Sequence, residues 1–70
     1  MTYIVVEVQI DSTGKVGTFI NDYKDAATAQ QKYYTILAAA AVSTVKKHAA
    51  FLFTEEGYVA HQCFEHENGE

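Results

Sequence analysis

The sequence predicts an α+β fold in the order β-β-α-β-β, a four-stranded antiparallel sheet with one helix on one face. Three observations predict it. Two apolar segments joined by a turn begin the chain, a helical repeat occupies its middle, and two more short apolar segments follow. At 70 residues the chain is short enough for one domain, which we expect to span residues 1–70.

Residues 2–11 form the first predicted strand, because their side chains alternate between two sets. Ile4 and Val6 belong to one set, and Tyr3 and Val5 belong to the other. If Ile4 and Val6 face the helix, Tyr3 and Val5 lie on the open face of the sheet. The first set is wholly apolar, whereas the second also contains Glu7 and Gln9. The two later strands carry apolar side chains on both faces, so a monomer would expose an aromatic patch on the open face.

A turn at residues 11–15 leads into a second strand at residues 16–23, which completes a hairpin. Asp25 is then a good helix N-cap, since its carboxylate can accept a backbone N–H from the first turn. The helix is predicted from residue 26 to about residue 43. Residues spaced three and four apart form the face that should pack on the sheet: Ala29, Tyr33, Ile36, Leu37 and Ala40.

The carboxyl-terminal part of the chain predicts a second hairpin. Residues 44–47 form a short connection, residues 48–54 a third strand, and residues 55–57 a turn. The fourth strand covers residues 58–64. The polar residues 65–70 are expected to be frayed.

Composition excludes several classes of function. The net charge is −4 and no arginine is present, which argues against a nucleic-acid partner, because phosphate backbones need a basic surface. We expect no membrane partner, since no signal peptide or spanning segment is visible. Cys63 is the only cysteine, which excludes an intrachain disulfide and favours a reducing cytoplasm.

The second half of the helix predicts a homo-oligomer. Residues 36–42 are all apolar, so the helix becomes apolar all round, although packing on one sheet needs a single apolar stripe. A chain this short has little protein to cover the extra face, and small domains commonly gain stability by oligomerisation. The residues predicted for the interface are Tyr34, Ala38, Ala41 and Val42.

Few side chains can carry chemistry. His61, Cys63 and Glu65 fall on one face of the fourth strand, where a His-x-Cys pair could supply zinc ligands or a thiol with a base. The favoured interpretation is that Cys63 is a small buried apolar residue. We expect no metal, no cofactor and no catalytic residues, because no nucleophile, base and oxyanion site are placed together.

Two groups of residues predict a small anionic ligand. Lys46, Lys47 and His48 lie together between the helix and the third strand, where they could bind a phosphate or carboxylate. The alternative is a solvated loop whose lysines complement the helix dipole. Tyr3, Tyr33 and Tyr34 offer rings that could stack on a base, although filling a core or interface is the alternative for each.

The segment from Tyr33 to Ser43, followed by His48-Ala49-Ala50, resembles small uncharacterised phage and prophage proteins of gut and other Gram-positive bacteria. The opening Tyr3 to Glu7 and the segment Gly14 to Gly17 are similar too, so the resemblance covers nearly the whole chain. It implies a viral protein acting in the host bacterial cytoplasm.

From this resemblance we expect a non-enzymatic binding protein that sequesters a nucleotide-derived host defence signal at its subunit interfaces. The alternative is an accessory part of the virion or its assembly, or an inhibitor that binds a host protein. Resemblance at the level of architecture does not establish either function.

Overall fold

The computed structural model describes residues 1–67 and confirms the predicted α+β architecture. The elements are β1 (Tyr3–Ile10), β2 (Val16–Tyr23), α1 (Ala26–Ala41), β3 (Lys47–Thr54) and β4 (Gly57–Glu65). The strands form one antiparallel sheet in the order β2-β1-β3-β4. Sequence alone left this order open. Within residues 1–67, no helix is long and apolar enough to cross a membrane.

Helix α1 begins as predicted. Asp25 is the N-cap, and its carboxylate accepts hydrogen bonds from the Thr28 backbone N–H at 3.0 Å and from the Thr28 hydroxyl at 2.9 Å. The buried residues of the helix are those predicted from the spacing: Ala29, Tyr33, Ile36, Leu37 and Ala40.

The helix ends at Ala41, about two residues earlier than predicted. Val42 is the C-cap, and its φ of −114° and ψ of 11° leave the helical conformation. The carbonyl of Ala40 accepts hydrogen bonds from the Ser43 backbone N–H at 3.2 Å and from the His66 side chain at 2.9 Å. His66 therefore adds a second hydrogen bond to a carbonyl in the last turn of the helix.

The side of β1 that faces the helix is opposite to the one considered from the sequence. Val5 is fully buried in the cluster formed by the helix, Ala50 and Leu52, and Tyr3 packs against that cluster. Since successive side chains of a strand alternate, Ile4 and Val6 lie on the open face. Both sets of side chains in β1 begin with apolar residues, and the set that contains Glu7 and Gln9 faces the helix, so alternation did not predict the orientation.

The end of the chain is more ordered than the sequence predicts. β4 continues through Glu65, and the His66 backbone N–H donates to the Lys46 carbonyl at 2.8 Å. Glu65 and His66 are therefore held by pairing with β3 and the preceding connection, and fraying of the rest of the tail stays a prediction. Its last three residues, 68–70, lie outside the described residues.

We expect Tyr33→Ala to lower the free energy of unfolding by about 3–5 kcal/mol, because Tyr33 is 5% exposed in the core. Tyr34→Ala is the matched control. Tyr34 is 64% exposed and makes an edge contact with the Tyr33 ring, so its loss should cost about 1 kcal/mol or less. Urea unfolding followed by circular dichroism measures both. Equal losses would contradict the described packing.

The N-cap predicts a dependence of stability on pH. Hydrogen bonds from the Thr28 hydroxyl and backbone lower the pKa of Asp25 below its ordinary value of 3.8. The capping carboxylate therefore stabilises the fold above that value, and the contribution is lost as the pH falls through the lowered pKa.

Asp25→Asn keeps an oxygen acceptor for Thr28 but cannot titrate. Its melting temperature should therefore fall less than that of the parent chain between about pH 6 and about pH 3. Asp22→Asn, at an exposed position outside the helix, is the control. The drop in its melting temperature over the same pH range should stay closer to that of the parent chain. If Asp25→Asn left the drop in melting temperature unchanged, the cap would not contribute to the acid sensitivity of the fold.

Candidate functional site

The sheet face opposite the helix, here called the open face, is mostly apolar. Strand register assigns its residues by row: β2 supplies Val16, Thr18, Ile20 and Asp22; β1 supplies Ile4, Val6, Val8 and Ile10; β3 supplies Lys47, Ala49, Phe51 and Phe53; β4 supplies Tyr58, His61, Cys63 and Glu65. Ile20 is 67% exposed and Tyr58 is 58% exposed. Charged residues lie only at the corners and ends of this face, which leaves its centre apolar.

Four rings form an aromatic cluster on the β3–β4 side of the open face. Phe51 stacks on Phe53 with a centroid distance of 6.1 Å and on His61 with a centroid distance of 5.8 Å. The Tyr58 ring meets Phe53 edge-on, and its hydroxyl lies 2.5 Å from His61 Nδ1. These contacts fix the orientation of the exposed rings, so little side-chain entropy would be lost on binding a partner.

The predicted interface residues of the helix form a second apolar patch. Tyr34, Ala38, Ala41 and Val42 are all exposed, and Val42 is 83% exposed. Within the described chain nothing covers them. Their part in an interface stays a prediction.

The predicted ligand residues do not share one surface within a single chain. Tyr3 pairs with Thr54 at one end of the sheet, whereas His48 pairs with Gln9 at the other. Lys47 and His48 are neighbours in β3 and therefore project from opposite faces. A site containing all these residues would require more than one subunit.

The remaining predicted ligand residues are distributed between the core and the surface. Tyr33 is buried, Tyr34 is exposed, and Lys46 is exposed in the connection before β3. Lys47 forms an ion pair with Glu65 at 3.5 Å. An exposed pair of this kind contributes little to stability.

His48 belongs to a polar network between the sheet and the helix. It is only 4% exposed, and its Nε2 lies 2.5 Å from Glu7 Oε2. Because an ionised carboxylate only accepts hydrogen bonds, Nε2 is the protonated nitrogen. Gln9 Nε2 donates to the same carboxylate oxygen at 3.1 Å. The buried Nδ1 of His48 has no hydrogen-bond partner among residues 1–67.

A cavity of about 540 Å³ opens beside this network, on the helix side of the β1–β2 hairpin. Gln9, Gly17 and Phe19 line it from the sheet. The hairpin turn and Val45 of the α1–β3 connection form its sides. Because α1 packs mainly on β3 and β1, this part of β2 is left uncovered.

Three of the five lysines gather at this end of the sheet. Lys15 immediately precedes β2 and lines the cavity, while Lys46 directly follows Val45 along the chain. Lys47 is paired with Ile10 across β1 and β3, at the strand ends beside the hairpin turn. The structure thus brings Lys46 and Lys47 to the same end of the sheet as a lysine that the sequence did not single out.

The prediction that Cys63 is buried is wrong. Cys63 is exposed, because it projects from the open face, where no helix covers β4. His61 and Glu65 share that face, as the spacing predicted. Within residues 1–67, no three His, Cys, Asp or Glu side chains are placed to hold a metal ion.

The cavity and its lining define an α+β protein with a candidate small-molecule site at the end of its sheet. No protein-family model, curated protein or solved structure matches the chain. Its function must therefore be argued from these surfaces.

The sequence analysis did not identify three of the cavity residues, Gln9, Gly17 and Phe19. Two signals point to them once the orientation of β1 is known. Glu7 and Gln9 are polar residues on the same side of the strand as the buried Val5, and Gly17 lacks a side chain near the start of a strand pattern. Their proximity depends on register, which the sequence did not specify.

Glu7→Ala should lower the free energy of unfolding by about 1–3 kcal/mol, because it leaves the buried His48 ring without its hydrogen-bond acceptor. Glu7→Gln keeps an acceptor oxygen and should cost less. Glu56→Ala removes an exposed glutamate in a turn and should change stability by about 0.5 kcal/mol or less. If Glu7→Ala and Glu56→Ala had equal effects in urea unfolding, the network would not stabilise the fold.

Proposed function

We propose that the chain is a non-enzymatic binding protein that works as a homo-oligomer, with the open face as its subunit contact. The observation that carries this proposal is the set of exposed apolar side chains that this face carries, the most exposed of them on its edge strands β2 and β4. Val16, Ile20 and Tyr58 are each more than half exposed. Soluble monomers rarely leave a continuous apolar surface of this kind in water.

The size of the open face fits a subunit contact. Four strands of about eight residues, spaced about 4.8 Å apart with a rise of about 3.3 Å per residue, give a flat footprint of about 500 Å². The accessible area is larger, because the surface follows the relief of the side chains. A stable interface needs about 800 Å² from each partner, which is the same order of magnitude.

A second copy of the chain is the occupant that best fits this face. Two sheets can pack face to face at a spacing of about 10 Å, with their side chains interdigitating. Asp22 and Glu65 lie at diagonal corners of the face, so the charges would remain at the rim of such a contact while the apolar rows meet at its centre. This distribution is typical of protein interfaces.

The proposed oligomer sequesters a small anionic, nucleotide-type ligand in the host bacterial cytoplasm. Lys15 and Lys46 at one end of the sheet support this part of the proposal, whereas Lys47 at the same end is already paired with Glu65. In a chain of net charge −4, a local group of lysines is the feature that can attract an anion. The phage resemblance supports the cellular context.

A second candidate function uses the same open face to bind a different protein, either in a virion or in the host. The aromatic cluster favours it, because clustered rings commonly dominate the energetics of protein interfaces. The two candidates differ in what they bind besides themselves. A sequestering protein takes up a small molecule in a fixed ratio, whereas a structural part or inhibitor does not.

Native mass spectrometry with a panel of cyclic and ADP-ribose-type nucleotides separates the two candidates. An oligomer that gains the mass of a nucleotide in a fixed ratio, and releases it intact on denaturation, supports sequestration. An oligomer that takes up none of the panel favours the protein-binding function. A monomer at all concentrations would contradict the use of the open face as a subunit contact and would leave that face available to a different protein.

Ile20→Glu should convert the oligomer to monomers, because it places a charge on an apolar row of the contact. The residue is 67% exposed in the single chain, so the folded monomer should tolerate the change. Sedimentation velocity measures the size, and circular dichroism verifies the fold.

Two controls locate the contact. Gln30→Glu places the same charge on an exposed helix position outside both apolar patches and should leave the oligomer intact. Tyr34→Glu tests the helix patch separately. An oligomer that survives Ile20→Glu but dissociates with Tyr34→Glu would move the contact from the open face to the helix.

A further inference from the structure

The cavity beside the β1–β2 hairpin is a groove broadly open to solvent that has the volume of a small-molecule site. Its volume of about 540 Å³ lies within the range of about 300–1,000 Å³ that is typical of ligand pockets. Its lining combines apolar side chains with a few polar groups, as such pockets commonly do. It contains none of the tyrosines or the histidine predicted from the sequence to bind a ligand.

One wall of the cavity is suited to a flat ring. Phe19 is 54% exposed although it lies on the helix side of the sheet, so its ring is available for stacking. Gly17 leaves room beside it. A Cβ built at Gly17 would meet only Phe19 Cε2, at 4.0 Å. Val45 lines the cavity from the α1–β3 connection, which gives the space a second apolar side.

Gln9 supplies a hydrogen-bonding group of known orientation. Its Nε2 donates to Glu7 Oε2, and the same oxygen is hydrogen-bonded to His48. The carboxylate accepts, so the amide nitrogen of Gln9 must face it, which leaves Gln9 Oε1 as an acceptor. The buried His48 ring therefore positions a group that lines the cavity and selects for a donor, such as an exocyclic amine.

Two lysines at or near the cavity are candidate partners for an anion. Lys15 lines the cavity, and Lys46 directly follows the lining residue Val45. Asp11 also lines it, but its carboxylate accepts hydrogen bonds from the Thr13 backbone and hydroxyl and from the Lys15 backbone. The acidic group is thus held within the hairpin turn, where hydrogen bonds with Thr13 and Lys15 and, less strongly, the Lys15 charge lower the pKa of Asp11. Lys15 is the cation among the lining residues that can meet an anion.

We infer that this cavity binds a flat heteroaromatic ring carrying a phosphate, the chemistry of a nucleoside monophosphate. The ring stacks on Phe19 over Gly17, an amine on the ring donates to Gln9 Oε1, and the phosphate meets Lys15. This inference rests on the proposed sequestering function and assigns its ligand to a site within one subunit. It does not depend on how the subunits assemble.

The test uses AMP as the probe and amide chemical shifts of the isotope-labelled full chain as the measurement. AMP should shift the amides of residues 9–19 and of Val45 in a saturable way. Adenosine and inorganic phosphate, which each supply half of the proposed chemistry, should bind at least about tenfold more weakly, because stacking and charge contribute separately. Absence of a saturable shift with AMP, or equal binding of phosphate alone, would overturn the inference.

Gly17→Val tests the position of the ligand. Valine is favoured in strands, and no neighbouring atom other than Phe19 Cε2 lies within 4 Å of the added Cβ, so the fold should be retained. The side chain should fill the space beside Phe19 and weaken AMP binding at least about tenfold. Asn21→Val, in the same strand and on the same side but outside the cavity, is the matched control and should bind AMP normally.

Lys15→Gln should weaken AMP binding several-fold and reduce its dependence on salt, whereas Lys24→Gln should do neither.

The outcomes also separate this inference from the proposed function. If Gly17→Val oligomers still take up a nucleotide in native mass spectrometry, sequestration stands and this location is wrong. If the parent chain takes up no nucleotide, both are wrong.

Discussion

A single helix has to cover a four-stranded sheet, and the rest of the structure depends on this constraint. Helix α1 has 16 residues, a length of about 24 Å, and it packs mainly on the two central strands β1 and β3. It therefore leaves two surfaces uncovered. One is the entire open face, and the other is the part of β2 around Gly17 and Phe19. The candidate subunit contact and the candidate ligand site both exist because one helix is too small to cover the whole sheet.

The polar network of Glu7, Gln9 and His48 lies where helix α1 stops covering the sheet. Where α1 covers the sheet centrally, the residues beneath it are apolar, as Val5 and Leu52 show. Where the cover ends, the same side of β1 carries Glu7 and Gln9. A buried histidine needs a hydrogen-bond partner, and the partly exposed Glu7 provides it while remaining in reach of water. The change from apolar to polar residues along β1 thus marks the boundary between core and cavity.

Much of the fold could be predicted because its signals are local. The Asp25 cap and the spacing of Tyr33, Ile36 and Ala40 identified the helix and its buried face, since both depend on neighbours within a turn or two. The orientation of β1 could not be predicted, because Val5 and Val6 are equally apolar. The cavity could not be predicted either. Gln9 and Gly17 become neighbours only through the register of β1 with β2, and Val45 joins them through tertiary packing.

The glycine in the cavity floor is the strongest argument that the uncovered part of β2 serves a purpose. Gly17 has no positive φ, so its backbone does not require glycine, and a β-branched residue would suit the strand better. Glycine within a strand costs roughly 0.5–1 kcal/mol relative to alanine, which is a substantial loss for a domain of this size. A larger side chain would have shielded Phe19 and reduced the exposed apolar area. Stability alone would favour filling this space, whereas binding a ring against Phe19 requires that it stay open.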